Sequence, residues 1–129
     1  MFQKIKVLLV DDDEIQEILV KAKLQEIAEI HYVRSAREAL PIIDSQLDRY
    51  NLIISDIEMP LMSGLDLALY VREVVKSDIC MIAHTASLNT NEKFYIKNGF
   101  NGFLPKGFEM QDFMKLWEKI QLRNAEVSF

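Results

Sequence analysis

The sequence predicts an α/β fold in which a parallel sheet is doubly wound, with helices on both of its faces. Short, continuously apolar runs such as residues 7–10 and 79–82 are typical of strands that are covered by helices on both sides. Stretches with helical spacing of apolar residues lie between these runs, so strand and helix alternate along the chain. Five such βα units, joined by right-handed crossovers, build a single sheet.

The predicted elements follow one another without a Pro/Gly/Ser-rich linker or an internal repeat. The strands are the short apolar runs, and the helices are the longer periodic stretches between them. In order, the elements are strand 4–10, helix 13–28, strand 30–34, helix 36–47, strand 51–56, helix 65–75, strand 79–84, helix 88–98, strand 101–104 and helix 108–121.

Three of the helices carry further signals. An apolar face in helix 13–28 is predicted to pack on the sheet; it consists of Ile15, Ile18, Leu19 and Ala22. A similar face in helix 108–121 consists of Phe113, Met114, Trp117 and Ile120. The spacing of Ser35 and Glu38 is typical of a capping box and predicts the start of helix 36–47. Pro41 then predicts a kink or a late start, because proline lacks an N–H and clashes with the preceding turn.

Length and composition indicate one soluble globular domain. The 129 residues are 50% hydrophobic and 27% charged, which excludes a disordered chain. The predicted domain is 1–123, followed by a loosely held tail, 124–129. A net charge of -5 argues against direct binding to nucleic acid or to anionic lipid, because both need a concentrated cationic surface.

The single cysteine, Cys80, lies in an apolar run and is interpreted as a small buried hydrophobe in a reducing compartment. The first apolar run stops at three aspartates, so it is not a signal peptide, and no run approaches the length of a membrane span. The sequence therefore predicts a cytoplasmic protein.

Polar residues follow the strand-like runs, one run after another. Asp11, Asp12 and Asp13 follow the first run, Asp56 ends the third, Thr85 follows the fourth and Lys106 follows the fifth. Parallel strands share the edge at which their carboxyl ends meet, and open α/β sheets bind ligands at that edge. Each residue alone has an ordinary explanation, such as an N-cap or a solvated amine. Together they predict an acidic pocket of phosphate size.

Three carboxylates in one cleft repel one another unless a cation is present or some of them are protonated. Asp11, Asp12 and Asp56 offer only oxygen ligands, which favour Mg²⁺. With that charge neutralised, one carboxylate can attack phosphorus. Lys106 and the Thr85 hydroxyl could then hold the other phosphoryl oxygens. The two histidines, His31 and His84, are interpreted as structural.

These residues resemble the response-regulator receiver domain of two-component signalling. The matching segments span nearly the whole chain: VLLVDDDE (7–14), IISDIEMP (53–60) with Met62 and Gly64, IAHTA (82–86) and GFNGFLPK (99–106). The resemblance implies a flavodoxin-like parallel sheet with strand order 2-1-3-4-5. It also implies a phosphoacceptor that is not a turnover enzyme.

The resemblance assigns a role to each site residue. Asp56 would accept the phosphoryl group from a phosphohistidine. Asp12 and Asp56 would bind Mg²⁺ directly, Asp11 largely through water, and the backbone carbonyl of Glu58 would complete the ligands. Thr85 and Lys106 would contact the phosphoryl oxygens. Phe103 would be the aromatic switch residue, turning inward when Thr85 moves, so that the surface formed by the last helix, its preceding strand and the helix before that changes.

Two positions bear on this assignment. The family usually has a proline after the lysine, in a cis peptide, whereas Gly107 stands here. A cis bond before a non-proline residue costs about 2.5–4 kcal/mol, so a trans bond and a looser loop are expected. Glu58 and Ser87 occupy positions that influence how fast the aspartyl phosphate hydrolyses.

The expected partners are a histidine kinase or histidine phosphotransfer protein, and a downstream protein target or an output domain of the same chain. A phosphorylation-dependent homodimer is left open.

Two alternatives also stay open. One is a small phosphatase resembling the haloacid-dehalogenase superfamily, with Asp11 as nucleophile and Asp13 as acid/base, although Ile15 departs from its motif. The other is a receiver-like docking domain that is not phosphorylated.

Overall fold

The computed structural model describes residues 3–87 and 91–127 as five strands and five helices. The strands are β1 Ile5–Val10, β2 Ala28–Val33, β3 Leu52–Asp56, β4 Cys80–Thr85 and β5 Gly102–Pro105. The helices are α1 Glu14–Leu24, α2 Ala36–Gln46, α3 Gly64–Leu69, α4 Glu92–Lys97 and α5 Met110–Val127. A 3₁₀ turn, Leu47–Arg49, follows α2, and a π-helical turn, Tyr70–Val74, follows α3. None of the helices in the described part of the chain is long and apolar enough to cross a membrane.

The five strands form one parallel sheet in the order β2-β1-β3-β4-β5, which confirms the predicted fold. The register brings the carboxyl ends of the strands level with one another. Val10 pairs with Ser55, Asp56 with His84, and Thr85 with Pro105. Polar residues at or just after these strand ends are therefore neighbours at one edge of the sheet.

Side chains alternate between the two faces of each strand, which gives two separate apolar layers. One layer packs the sheet against α2, α3 and α4; its buried strand residues are Leu8, Val10, Val33, Ile53, Met81 and Ala83. The other packs the sheet against α1 and α5; its buried strand residues are Val7, Leu9, Ala28, Leu52, Ile54, Cys80, Ile82 and Leu104. The strands β1, β3 and β4 are thus covered on both faces, as their continuous apolar runs predicted.

The prediction for the buried face of α1 was wrong. Ile15, Ile18 and Leu19 are 61%, 67% and 42% exposed, and Val20 and Leu24 face the sheet instead. Ala22 is also exposed. Both stripes satisfy a period of 3.6 residues, so periodicity alone does not choose between them. The choice depends on how α1 leaves β1, where Asp13 caps the helix by accepting a hydrogen bond from the Ile15 N–H at 3.0 Å.

The helix α2 begins where its cap predicted. Ser35 Oγ accepts a hydrogen bond from the Glu38 N–H at 3.1 Å, and the helix continues through Pro41 to Gln46, so a late start was the wrong expectation. Pro41 is exposed, and its Cγ and Cδ therefore displace no core residue. Proline offers no N–H to the helix carbonyl one turn earlier, and a solvent molecule on that exposed side can donate to this carbonyl instead.

Other boundaries differ by a few residues. The helix α1 ends at Leu24 rather than at 28, and β2 begins two residues earlier than predicted. The predicted helix 88–98 corresponds to Glu92–Lys97, and its positions 88–90 lie outside the described residues. The helix α5 continues to Val127 because the sequence after 121 contains neither glycine nor proline to end it. Residues 124–127 of the predicted tail are therefore helical, and 128–129 lie outside the described residues.

The partly buried guanidinium of Arg72 ties the π-helical turn to the segments that precede β4 and β5. It donates to the carbonyls of Gly99, Ser77 and Ile79 at 2.9, 2.9 and 2.7 Å, and to Asn101 Oδ1 at 3.0 Å. Burial lowers the pKa of Arg72. These bonds join the segments that lead into β4 and β5, so they help to place the strands that carry Thr85 and Lys106.

We predict that Arg72→Met lowers the free energy of unfolding by about 2–4 kcal/mol, because several partly buried oxygen acceptors lose a charged donor. Urea denaturation measures the change. Arg37→Met, in an exposed position on α2, is the matched control and should cost less than about 0.5 kcal/mol. Equal stability of the two variants would show that Arg72 does not brace the sheet.

Candidate functional site

Four side chains predicted from the sequence converge at the carboxyl edge of the sheet. Asp11 directly follows β1, Asp56 and Thr85 are the last residues of β3 and β4, and Lys106 directly follows β5. The Asp11 N–H donates to the Val33 carbonyl at 3.2 Å, and the Lys106 N–H donates to the Thr85 carbonyl at 2.9 Å. The backbone pairing of the sheet thus continues one residue further and holds both side chains at the edge.

The carboxylates of Asp11, Asp12 and Asp56 form a cluster in which one oxygen of each lies within 4.8 Å of the others. Asp11 and Asp56 are buried, and Asp12 is exposed. Asp11 Oδ1 accepts a hydrogen bond from the Asp13 N–H at 2.9 Å, whereas Asp11 Oδ2 is buried without a hydrogen bond in the described part of the chain. An oxygen-only set that includes an unsatisfied carboxylate oxygen fits Mg²⁺.

The Lys106 ammonium reaches this cluster. Its Nζ lies 3.2 Å from Asp56 Oδ2 and 3.6 Å from Asp11 Oδ2. The Lys106–Gly107 bond is trans, as expected, because no peptide in the described residues is cis. Gly107 has φ +91°, a conformation that favours glycine. The chain therefore turns at Gly107 and still delivers Lys106 to the site.

Burial and the neighbouring charges shift the pKa values of both partners of this ion pair. Burial and the nearby Asp11 carboxylate raise the pKa of Asp56 to about 6, although Lys106 opposes the rise. Burial lowers the pKa of the Lys106 ammonium, but the attraction of Asp11 and Asp56 outweighs it and the pKa rises. At neutral pH Asp56 is thus mainly an ionised carboxylate beside a positive charge.

Asp56 opens into a cavity of about 390 Å³, which is lined by Asp12, Asp13, Asp56, Glu58, Thr85, Ala86, Ser87 and Lys106. Two larger clefts, of about 650 and 990 Å³, have other linings that do not include the carboxylate cluster. Glu58 and Ser87 are exposed at the cavity. The Ser87 N–H donates to Thr85 Oγ1 at 2.9 Å. All of the predicted polar side chains except that of Asp11 therefore line one cavity, and Asp11 lies buried beneath it.

Phe103 lies away from the cavity and packs on a residue that the sequence analysis missed. The Tyr95 ring is 1% exposed and stacks on Phe103 with 4.6 Å between ring centroids. Burial raises the pKa of the Tyr95 phenol, and a side-chain interaction with Thr85 opposes the rise. Tyr95 thus lies between Thr85 and Phe103. Its sequence signal is an aromatic residue in a short helix, which does not reveal that position.

Asp13 behaves as a helix cap. Its side chain accepts from the Ile15 N–H at 3.0 Å, the N-cap interaction that was its ordinary explanation. His84, interpreted as structural, is fully buried beside Asp11, with 3.7 Å between its Nδ1 and Asp11 Oδ2.

Comparison with known proteins identifies the family. The family model described as "Response regulator receiver domain" matches residues 7–118. An uncharacterized 14.6 kDa protein of Leptolyngbya boryana, named for its place in the sodA1 3' region, is 32% identical over 113 residues, 85% of each chain. The putative two-component response regulator ARR13 of Arabidopsis thaliana is 30% identical over 120 residues; these cover 89% of this chain but only 20% of that protein.

The fold is similar to that of solved receiver domains. The receiver domain of the histidine kinase CKI1 from Arabidopsis thaliana, crystallised with Mg²⁺ and BeF₃⁻, superposes with a TM-score of 0.78. The match covers 90% of this chain and 89% of that one, with 24% identity. Receiver domains accept a phosphoryl group at an acidic pocket and are not turnover enzymes. The chain belongs to the response regulator receiver domain family.

Proposed function

We propose that Asp56 accepts a phosphoryl group from the phosphohistidine of a histidine kinase or a histidine phosphotransfer protein. The observation that carries this proposal is the position of Asp56 Oδ2, 3.2 Å from the Lys106 ammonium and within the three-carboxylate cluster. A nucleophile, a cation and a set of metal ligands therefore lie at one point. We assign this function to residues 1–123, in the reducing cytoplasm, where a lone buried thiol such as Cys80 stays reduced.

An Asp56 carboxylate oxygen attacks the phosphorus, the bond between phosphorus and the histidine nitrogen breaks, and the imidazole leaves as a neutral ring after taking up a proton. Asp12 and Asp56 would hold Mg²⁺ directly, Asp11 through water, with the Glu58 backbone carbonyl as a further ligand. When bound, the ion supplies positive charge against the carboxylates and the incoming phosphoryl oxygens. Asp56 is ionised for this attack at neutral pH because its pKa is about 6.

Lys106 and Thr85 bind the transferred group. The Lys106 ammonium already faces Asp56 Oδ2, so it also lies next to a phosphoryl group that is bound to that carboxylate. The Thr85 hydroxyl accepts the Ser87 N–H and interacts with the Tyr95 phenol. Its O–H donates to a phosphoryl oxygen once it turns away from Tyr95. Glu58 and Ser87 line the same cavity, so their side chains tune the access of the water that hydrolyses the aspartyl phosphate.

Movement of Thr85 changes the surface formed by α4, β5 and α5. Tyr95 of α4 lies between Thr85 and Phe103 of β5, so a shift of Thr85 acts on both aromatic rings. Glu92 of α4 also forms ion pairs with Lys119 and Arg123 of α5, at 3.2 and 2.7 Å. This surface binds the downstream target, an output domain of the same chain or a second copy of it.

We predict that Asp56→Asn abolishes acid-labile incorporation of phosphate from acetyl phosphate in the presence of Mg²⁺, because the amide is not a nucleophile. Asp13→Asn is the matched control: asparagine preserves the helix cap, so labelling should persist. Labelling that survives in Asp56→Asn contradicts the assignment. Turnover of a phosphate ester that is lost in Asp11→Asn and Asp13→Asn would favour the haloacid-dehalogenase alternative. A wild-type protein that is never labelled would favour the docking domain.

The raised pKa of Asp56 predicts a pH-dependent stability. The carboxyl titrates near 3.8 in the unfolded chain and near 6 in the folded one. Ionisation therefore opposes folding; its cost is absent at low pH, grows as the pH rises between these two values and is complete above the folded pKa. Asp56→Asn removes the cost, so it should raise the free energy of unfolding by about 1–3 kcal/mol at about pH 7.5.

Urea denaturation in EDTA measures this difference, which should become much smaller near pH 4. Asp48→Asn, at an exposed position in the 3₁₀ turn, is the control and should change stability by less than about 0.5 kcal/mol at either pH. A variant Asp56→Asn that is no more stable than the wild type near neutral pH would show that the carboxylate carries no burial cost.

A further inference from the structure

The buried imidazole of His84 has no part in the reaction described above. Its side chain is 1% exposed, and neither ring nitrogen has a hydrogen-bond partner in the described part of the chain. Asp11 Oδ2 is buried and unsatisfied in the same way, and it lies 3.7 Å from His84 Nδ1. Buried polar atoms are nearly always hydrogen-bonded, so two unsatisfied groups that face each other call for a specific explanation.

The fold holds the His84 ring against Asp11. His84 is the penultimate residue of β4 and pairs with Asp56 of β3 and with Leu104 of β5. The Phe108 ring packs edge-on against it, with 5.5 Å between centroids and an interplanar angle of 82°. Phe108 is 2% exposed, and its carbonyl accepts a hydrogen bond from Lys23 of α1. The loop after Gly107 therefore closes the space into which the imidazole could turn.

Asp11 has one anchored oxygen and one that lacks a fixed donor. The Asp13 N–H holds Oδ1 at 2.9 Å. Oδ2 faces His84 Nδ1 at 3.7 Å and the Lys106 ammonium at 3.6 Å, but Lys106 lies closer to Asp56, at 3.2 Å. When Lys106 binds a phosphoryl oxygen beside Asp56, it no longer pairs with the Asp11 carboxylate. His84 is then the donor that the described residues place next to Oδ2.

We infer that His84 is a positioning residue that sets the orientation of the Asp11 carboxylate. Its Nδ1–H donates to Asp11 Oδ2 once the two atoms approach by roughly 0.5–1 Å, which brings them to hydrogen-bond distance. With Asp13 on one oxygen and His84 on the other, the carboxylate is fixed for its interaction with Mg²⁺. Groups that orient metal ligands in this way commonly change metal affinity by about 10–100-fold. The inference rests on the proposed role of Asp11 at the metal.

Isothermal titration calorimetry with Mg²⁺ on the whole chain tests this role. His84→Leu retains an apolar side chain of similar size but has no donor, so it should weaken Mg²⁺ binding by about tenfold. His84→Asn places an amide N–H near the position of Nδ1, so it should stay within about threefold of the wild type. The inference is overturned if His84→Leu binds Mg²⁺ as tightly as the wild type, or if His84→Asn binds Mg²⁺ no more tightly than His84→Leu.

Asp11→Asn separates this inference from the proposed function. If Asp11→Asn leaves Mg²⁺ affinity unchanged, the assignment of Asp11 to the metal site fails. If Asp11→Asn weakens binding while His84→Leu does not, only the role of His84 fails.

A second measurement uses the wild-type protein and does not depend on whether a variant folds. Long-range ¹H–¹⁵N correlation spectra report which nitrogen of the His84 ring carries the proton. The inference requires a proton on Nδ1 in the presence of Mg²⁺. A ring protonated on Nε2 alone overturns it.

Discussion

The repulsion between two carboxylates buried at one edge of the sheet is the constraint on which the site depends. Asp11 and Asp56 are 0% and 4% exposed, so water can do little to separate their charges. The Lys106 ammonium, 3.6 and 3.2 Å from the two, is the positive charge that the fold provides at this point. The three groups lie at the ends of β1, β3 and β5, and the parallel register of these strands with β4 brings those ends level with one another. A bound divalent cation would offset the same repulsion, so the oxygen ligands of this site fit Mg²⁺.

The same constraint links stability to function. Burial makes Asp56 a poorly solvated carboxylate with a pKa of about 6, and that state is unfavourable in the resting protein. The remainder of the domain compensates, through two apolar layers and through braces such as the hydrogen bonds of Arg72. Functional sites commonly contain residues that lower the stability of the folded protein but are needed for its chemistry. Thr85, Tyr95 and Phe103 form a packed path from the site to the α4 and β5 surface.

The sequence was sufficient to predict a doubly wound parallel sheet and most of the polar site, because both follow from local pattern, whereas the strand order followed from the family resemblance. Continuous apolar runs mark strands that are covered on both faces, and the residues that end such runs must meet at one edge of a parallel sheet. Tertiary packing decides the features that were missed. Two stripes of α1 have helical periodicity, and only the exit from β1 shows that Val20 and Leu24 are buried while Ile15 and Ile18 are exposed. Tyr95 and His84 read as ordinary core residues, and their positions beside Thr85 and Asp11 depend on contacts between distant segments.

Chemical mapping of the phosphorylated residue tests the central claim most directly. Borohydride reduces an aspartyl phosphate to homoserine, which marks the acceptor permanently, and peptide mass spectrometry then locates it in the wild-type chain. The account predicts homoserine at Asp56, in the peptide that contains the end of the buried strand β3. Homoserine at Asp11, Asp12 or Asp13, with none at Asp56, would contradict the account, since the nucleophile would then lie in the segment that follows β1 and not at the end of β3.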